Sequence, residues 1–501
     1  MRRIQVEKRP NAIRLVQSQG LVYSFEPSSP LSSSAAAPDG EDPYWPDNRY
    51  YSFTSHEIAL LEEAGQDVFA MCCEAADYLV AHPDIVTEQM AIPAFCLKQI
   101  AASWNREPAW GSVYGRFDIC FGGLDHPDPS LRVPKFYEFN ADTPTSLVEA
   151  ATVQWQWLEQ TGHGHDQFNS LSERLVAAWR RNLALVEQQA GGHKLRGIPG
   201  EASGEDAMNT TLLMATCEQA GYRAEPLFMD QIGQSKHDGR FYDHRGRHLD
   251  VVFKLYPWEW MVEQPFGEAC FRDMERGGND LLLPGVQEGD DNNSYTGGTV
   301  WIEAPYKMLW SNKGLFAVLW QLFRDDPRSK WLLPTYFEGE APASLTRYAR
   351  KPLLAREGAD VTLHFDGRVL DDTPTGQYGK EGWRCFPRSE TAKRSGCRQK
   401  AEEEEEEEHG DAPSTTYYPV LGLWFVDGQP AGMGIREDTR RITANKSWFI
   451  PHSISDGPVT YERKPIPDAA EIEALLTLEN YPTLTSSSNG VLDYIEGIVR
   501  D

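Results

Sequence analysis

The chain has 501 residues, 40% of them hydrophobic and 11% aromatic, with 15 Trp. That is enough apolar content for two or three filled domains and too much for a disordered chain. Its net charge of −27 disfavours nucleic acid or an anionic membrane as partner of the whole surface, and nothing approaches the roughly 20 apolar residues of a membrane span.

The first residues, MRRIQVEKRPNAIRL, are basic but have no apolar run behind them, so no secretory leader is expected and the cytoplasm is the expected compartment. A strand is expected around Leu21–Phe25, followed by a flexible Ser/Ala/Pro-rich stretch, PSSPLSSSAAAPDGEDP. Thr54 and Glu57 stand at capping-box spacing. Behind them Leu61, Ala64, Val68, Cys72, Ala75 and Leu79 fall on one helical face. SVYGRFDICF and VPKFYEFN read as strands. LVEAATVQWQWLEQ, residues 169–188 and residues 208–220 read as helices, with a Gly-rich charged loop over 190–208. VVFKLYPWEW reads as a buried strand entering a helix, and NKGLFAVLWQLFRDD as an amphipathic helix. From 330 to 460 strand-like runs such as DVTLHF and PVLGLWFV alternate with loops. The order predicts a mixed α/β (α+β) fold with antiparallel sheets in its second half. Residues 388–416 are a low-complexity island, with seven consecutive Glu from Glu402 to Glu408 expected to stay solvated. The eight cysteines include no Cys-x-x-Cys pair and read as reduced core thiols.

Two strands carry polar groups at i and i+2, which share a face in extended chain. Arg116 and Asp118 form one such pair, and Glu138 and Asn140 the other. Phe117, Tyr137 and Phe139 are expected to point into the core. If the strands are neighbours, a guanidinium, two carboxylates and a carboxamide oxygen converge, a set suited to Mg²⁺ and phosphate. The alternative is ordinary surface pairing. Thr143, Thr145 and Ser146 follow on a Pro-containing turn that suits an anionic substrate end or, equally, a helix cap. Lys307 and Lys351 lie in strongly patterned segments, and Lys351 leads into the turn Arg356-Glu357-Gly358. Arg436 follows a small-residue strand, with Ile442 and Thr443 shortly after. The common phosphate-binding glycine loops are absent.

The blocks GRFD, YEFNADTPTS, DQFNSL, VFKLYPWEWM, EAPYKMLWSNKGL, KPLLAREGADV, PVLGLWFVDGQPAGMGIRED and SWFIPH together resemble glutathionylspermidine synthetase and its stand-alone relatives, a branch of the ATP-grasp ligases. The resemblance covers most of residues 44–455. It implies a pre-ATP-grasp domain and an ATP-grasp fold whose antiparallel sheets clasp the nucleotide. It divides the chain into an N-terminal segment (1–46), a substrate region with metal-binding strands (47–205), an ATP-grasp region (206–460) and a tail (461–501). It makes Asp118, Glu138 and Asn140 ligands of Mg²⁺, expected as two ions, and Arg116 and Arg436 catalytic arginines. Arg116, Phe117, Asp118, Lys307, Lys351, Gly358, Ile442 and Thr443 become ATP-binding positions, and Thr143, Thr145 and Ser146 contacts of a small-molecule or peptide acid. The implied activity is amide formation through an acyl phosphate, with an amine, such as a polyamine, as second substrate. An inactive nucleotide- or peptide-binding protein and a true glutathionylspermidine synthetase are the alternatives.

Three departures stand out. The N-terminal amidase domain of bifunctional members is not expected, nor is amide hydrolysis. Leu255 stands where synthetases acting on glutathione carry Thr. Between Gly382 and Tyr417 the expected Tyr-Gln adenine strand is replaced by GWRCFPRSE and the acidic island. Residues 384–414 are therefore expected to come from an error such as a retained intron. A mature transcript encoding the whole stretch would contradict that expectation.

Overall fold

The structure is a computed structural model that describes residues 1–21, 43–105, 112–189, 204–275, 298–376, 378–387, 416–444 and 447–477. The strand expected near Leu21–Phe25 falls outside these residues beyond Leu21. So do the Ser/Ala/Pro stretch except its last residue, most of the 190–208 loop, the acidic run and Cys397.

The capping box forms as read: the Thr54 side chain accepts from the Glu57 N–H and Glu57 returns to the Thr54 N–H, opening a helix over Ser55–Ala81. The six face residues read from the sequence are all buried, and the helix packs by them into the main core. The expected helices appear at Gln154–Thr161, Leu171–Gln189, Gly204–Gln219 and Leu315–Phe323.

β1 (Arg2–Gln5) pairs antiparallel with β2 (Arg49–Phe53). β3 (Tyr114–Cys120) pairs antiparallel with β4 (Lys135–Asn140). β5 (Gly233–Gln234) and β6 (Phe241–Tyr242) make a small hairpin, and β7 (Val251–Phe253) and β8 (Val300–Ile302) a parallel pair. β9 (Tyr336–Phe337), β10 (Arg347–Pro352), β11 (Thr362–Phe365), β12 (Arg368–Asp372) and β13 (Trp383–Pro387) form one antiparallel sheet in the order β12-β11-β10-β13-β9. β14 (Tyr418–Val426) and β15 (Gln429–Asp438) form a hairpin whose Asp427 and Gly428 both take positive φ, as a tight Asp-Gly turn requires. β16 (Trp448–Ile450) lines its edge, and β14 lies against β3, giving a central sheet β16-β15-β14-β3-β4. β17 (His452–Ile454) runs parallel to β2.

The central sheet thus draws strands from both sides of the boundary expected at residue 205. Residues of the expected tail fold back too: the helix Ala469–Thr477 carries Glu473, which pairs with Arg14. The structure corrects one expectation: Tyr137 does not join Phe117 and Phe139 in the core. The register slips between Asp118 and Ile119, so that Asp118 faces Glu138 while Ile119 faces Phe136. This bulge turns Tyr137 towards Phe386 of the other sheet. Where the Tyr-Gln strand was expected, β13 runs in register with β10 from Trp383 to Pro387; of the stretch expected to come from an error, residues 384–387 thus pair within the sheet, and residues 388–414 lie outside the described residues.

Candidate active site

The register of β3 with β4 sets Arg116 opposite Asn140 and Asp118 opposite Glu138. All four line one cleft between the central sheet and the β9–β13 sheet. Arg116 Nε donates to Asp118 Oδ1 at 2.8 Å, and Asn140 Nδ2 to Asp118 Oδ2 at 3.3 Å. Gly422 lies opposite Asp118 on β14, where a Cβ would come within 2.7 Å of Arg116 Cδ. The missing side chain gives the arginine its room.

Glu138 looks across the cleft at three cations. Lys351 Nζ lies 3.2 Å away, Lys313 Nζ 3.5 Å and Arg384 Nη2 3.8 Å. Burial alone would raise its carboxyl, but Lys313, Lys351 and Arg384 outweigh it and hold the group well below the usual range. Burial pushes the Lys313 amine down to about 8 against the pull of Glu138. Beyond the lysines the cleft becomes apolar: Leu333, Ala349, Val361, Leu363, Phe386 and Ile442 form a cluster separate from the main core. A slot of that kind takes a flat ring, and the lysines beside it suit phosphate.

The turn after β4 is held by three arginines from distant parts of the chain. Arg356 Nη2 donates to the Thr143 hydroxyl at 2.7 Å, Arg116 Nη1 to the Thr145 carbonyl at 2.6 Å and Arg436 Nη1 to the Ser146 hydroxyl at 3.4 Å. From behind, buried Asp142 accepts from Lys254 Nζ at 2.6 Å and from the Trp258 N–H at 2.8 Å. Gly358 has φ +73, and a Cβ there would sit 2.4 Å from the Thr443 carbonyl oxygen. Gly358 is thereby brought against Ile442 and Thr443.

Every residue assigned a catalytic, metal, nucleotide or acid contact from the sequence lines this cleft except Phe117 and Lys307. Phe117 is fully buried on the opposite face, its ring stacked on Phe139 at 3.8 Å. Lys307 is buried behind the cleft, where its amine donates to the Tyr114 and Ala141 carbonyls and pairs with Glu303 at 3.1 Å. The lysine that the EAPYKMLWSNKG segment contributes to the cleft is Lys313. Sequence reasoning passed over it, because only the fold shows that Glu303 already pairs with Lys307. Arg384 was missed, as was the part Arg356 plays beyond its turn. Leu255 is buried in the main core rather than in the cleft.

The donor set fits a hard divalent cation. Asp118 and Glu138 are each partly exposed to the cleft, and the Asn140 carboxamide stands beside them. Among the described residues no three His, Cys, Asp or Glu side chains cluster as a metal site, but Mg²⁺ typically takes one or two carboxylates and fills its shell with water and phosphate oxygens.

Fold and site together define a mixed α/β protein in which two five-stranded antiparallel sheets share one cleft, charged at one end and apolar at the other. The chain belongs to the family described as glutathionylspermidine synthase preATP-grasp, whose model matches residues 3–455. A Haemophilus influenzae protein named "Putative acid--amine ligase" is 32% identical over 454 residues, covering 89% of this chain and 97% of that protein. The bifunctional glutathionylspermidine synthetase/amidase of Escherichia coli is 24% identical over 371 residues, 71% of this chain and 54% of that protein. The trypanothione synthetase of Crithidia fasciculata is 22% identical over 362 residues, 72% of this chain and 49% of its own length. The chain therefore spans about half the length of the latter two.

Proposed function

We propose that this protein is an ATP- and Mg²⁺-dependent acid–amine ligase of the glutathionylspermidine synthase type, working through an acyl phosphate. The observation that carries the reading is the β3–β4 register, with Asp118 and Glu138 opposed on the cleft face beside Arg116 and Asn140. Asp118, Glu138 and Asn140 would hold Mg²⁺, which neutralises triphosphate charge when bound. The apolar slot around Phe386 and Ile442 takes the base, and Lys313 and Lys351 take phosphate oxygens.

A carboxylate substrate lies against the turn Thr143, Thr145 and Ser146. Its oxygen attacks the terminal phosphorus and ADP leaves. Arg116 and Arg436, both on the cleft, offset the charge that builds during transfer. The amine then attacks the acyl carbon, loses a proton and displaces inorganic phosphate. The acidic chain favours a cationic amine such as a polyamine.

Phosphate release from ATP with a panel of carboxylates and amines tests the reading. Release requiring one acid and one amine supports it. Nucleotide binding without release under any pair favours a binding protein, and turnover only with glutathione and spermidine narrows it to a glutathionylspermidine synthetase.

A further inference from the structure

Residues two apart share a face in a strand, and β13 pairs Arg384 with Lys351 and Phe386 with Ala349 of β10. Phe386 reaches the apolar slot. Arg384 is 0% exposed and lies beneath the cleft rather than along it. Its Nη1 donates to the Lys313 carbonyl at 3.0 Å and its Nη2 to the Tyr137 carbonyl at 2.9 Å. The same Nη2 stands 3.8 Å from Glu138, and Nε has no hydrogen-bond partner among the described residues. One guanidinium therefore ties the segment carrying Lys313 to the strand carrying Glu138, from a third strand that also carries a wall of the slot.

A buried cation is costly to keep unless its partners hold it. The three cations around Glu138 are unequal in this respect. Lys351 and Lys313, whose amine also donates to the Ala355 carbonyl at 2.5 Å, both line the cleft on flexible stems, whereas Arg384 does not line it and is a planar fork held by two main-chain carbonyls. Phosphate oxygens entering the cleft would compete with Glu138 for both amines. Arg384 cannot follow.

We propose that Arg384 is a positioning residue for nucleotide, the fixed cation that keeps Glu138 and the Lys313 main chain in place while both lysines turn to phosphate. The inference rests on the nucleotide reading above and adds to it a residue that touches no ligand.

The test is a double-mutant cycle on Mg²⁺–ATP affinity, measured by calorimetry on the full chain with thermal melting of the same samples. Arg384→Met is expected to weaken binding by about tenfold. In a Glu138→Gln background the same change should cost less than about threefold, because the residue acts through that carboxylate. Arg384→Lys keeps the charge but not the fork, and should remain weaker than wild type; it carries the test if Arg384→Met does not fold. Wild-type affinity in Arg384→Met or Arg384→Lys, or an equal loss in both backgrounds, overturns the proposal while leaving the nucleotide reading intact. A wild-type chain that binds no Mg²⁺–ATP overturns both.

Discussion

Lys254→Met tests how the turn after β4, proposed above to meet the acid, is held. Lys254 and Asp142 are 0% and 1% exposed and 2.6 Å apart, and burial pushes the lysine amine down against the opposing pull of Asp142. Removing the amine leaves a buried carboxylate, a change that typically costs about 3–5 kcal/mol. Asp142 keeps the Trp258 N–H, which moves the expectation to the low end, about 3 kcal/mol. Loss of the lysine's contact with the Trp258 ring, 4.4 Å from Nζ, adds up to about 1 kcal/mol. Lys254→Met/Asp142→Leu removes the stranded charge and leaves only an orphaned N–H, for about 1–3 kcal/mol. Urea unfolding followed by tryptophan fluorescence should therefore rank wild type above the double variant and the double variant above Lys254→Met. A single-variant loss below about 1 kcal/mol, or a double variant no more stable than the single, would refute the argument.

Lys307→Met should lower stability by about 3 kcal/mol, since it strands buried Glu303, and leave ATP affinity of the folded fraction near wild type. Lys313→Met should do the reverse, with about a tenfold weaker Kd; equal effects on binding would contradict the exchange of roles. Gly358→Ala should weaken nucleotide binding several-fold, because φ +73 and the Thr443 carbonyl exclude a Cβ, and wild-type affinity would show that the turn does not bear on the site. Burial would raise the Asp360 carboxyl, but hydrogen bonds from Thr375, Gly376 and Tyr378 hold it near 2. Its folded value thus lies below its unfolded one, so its stabilising effect is present above about pH 4 and fades as pH falls towards 2. The protection of the Gly376 amide, its exchange relative to the intrinsic rate at each pH, should fall over that window in wild type, with Asp360→Asn weakly protected throughout; unchanged wild-type protection would count against it.

The four charged or amide side chains of the site were legible because strand alternation decides a face without tertiary information. GRFD and YEFN each place their polar pair on one side, and adjacency then aligns the pairs. Tyr137 was not legible, since the bulge that turns it depends on a slip between two strands and no local residue marks it. The exchange of Lys307 for Lys313 has a related cause: both sit in one patterned segment, and only the fold shows which is covered by Glu303. Arg384 and Lys254 act through partners more than 70 residues away, beyond the range of any spacing argument. The capping box at Thr54 and the apolar face behind it were readable because both are set within a few turns of one helix.

The most direct measurement is Mg²⁺-dependent ATP binding by Asp118→Ala and Glu138→Ala, with circular dichroism and melting to show that each is folded. The account predicts that both retain their secondary structure and lose the dependence of ATP affinity on Mg²⁺. Wild-type dependence in both variants would mean that the β3–β4 face does not hold the metal-bound triphosphate.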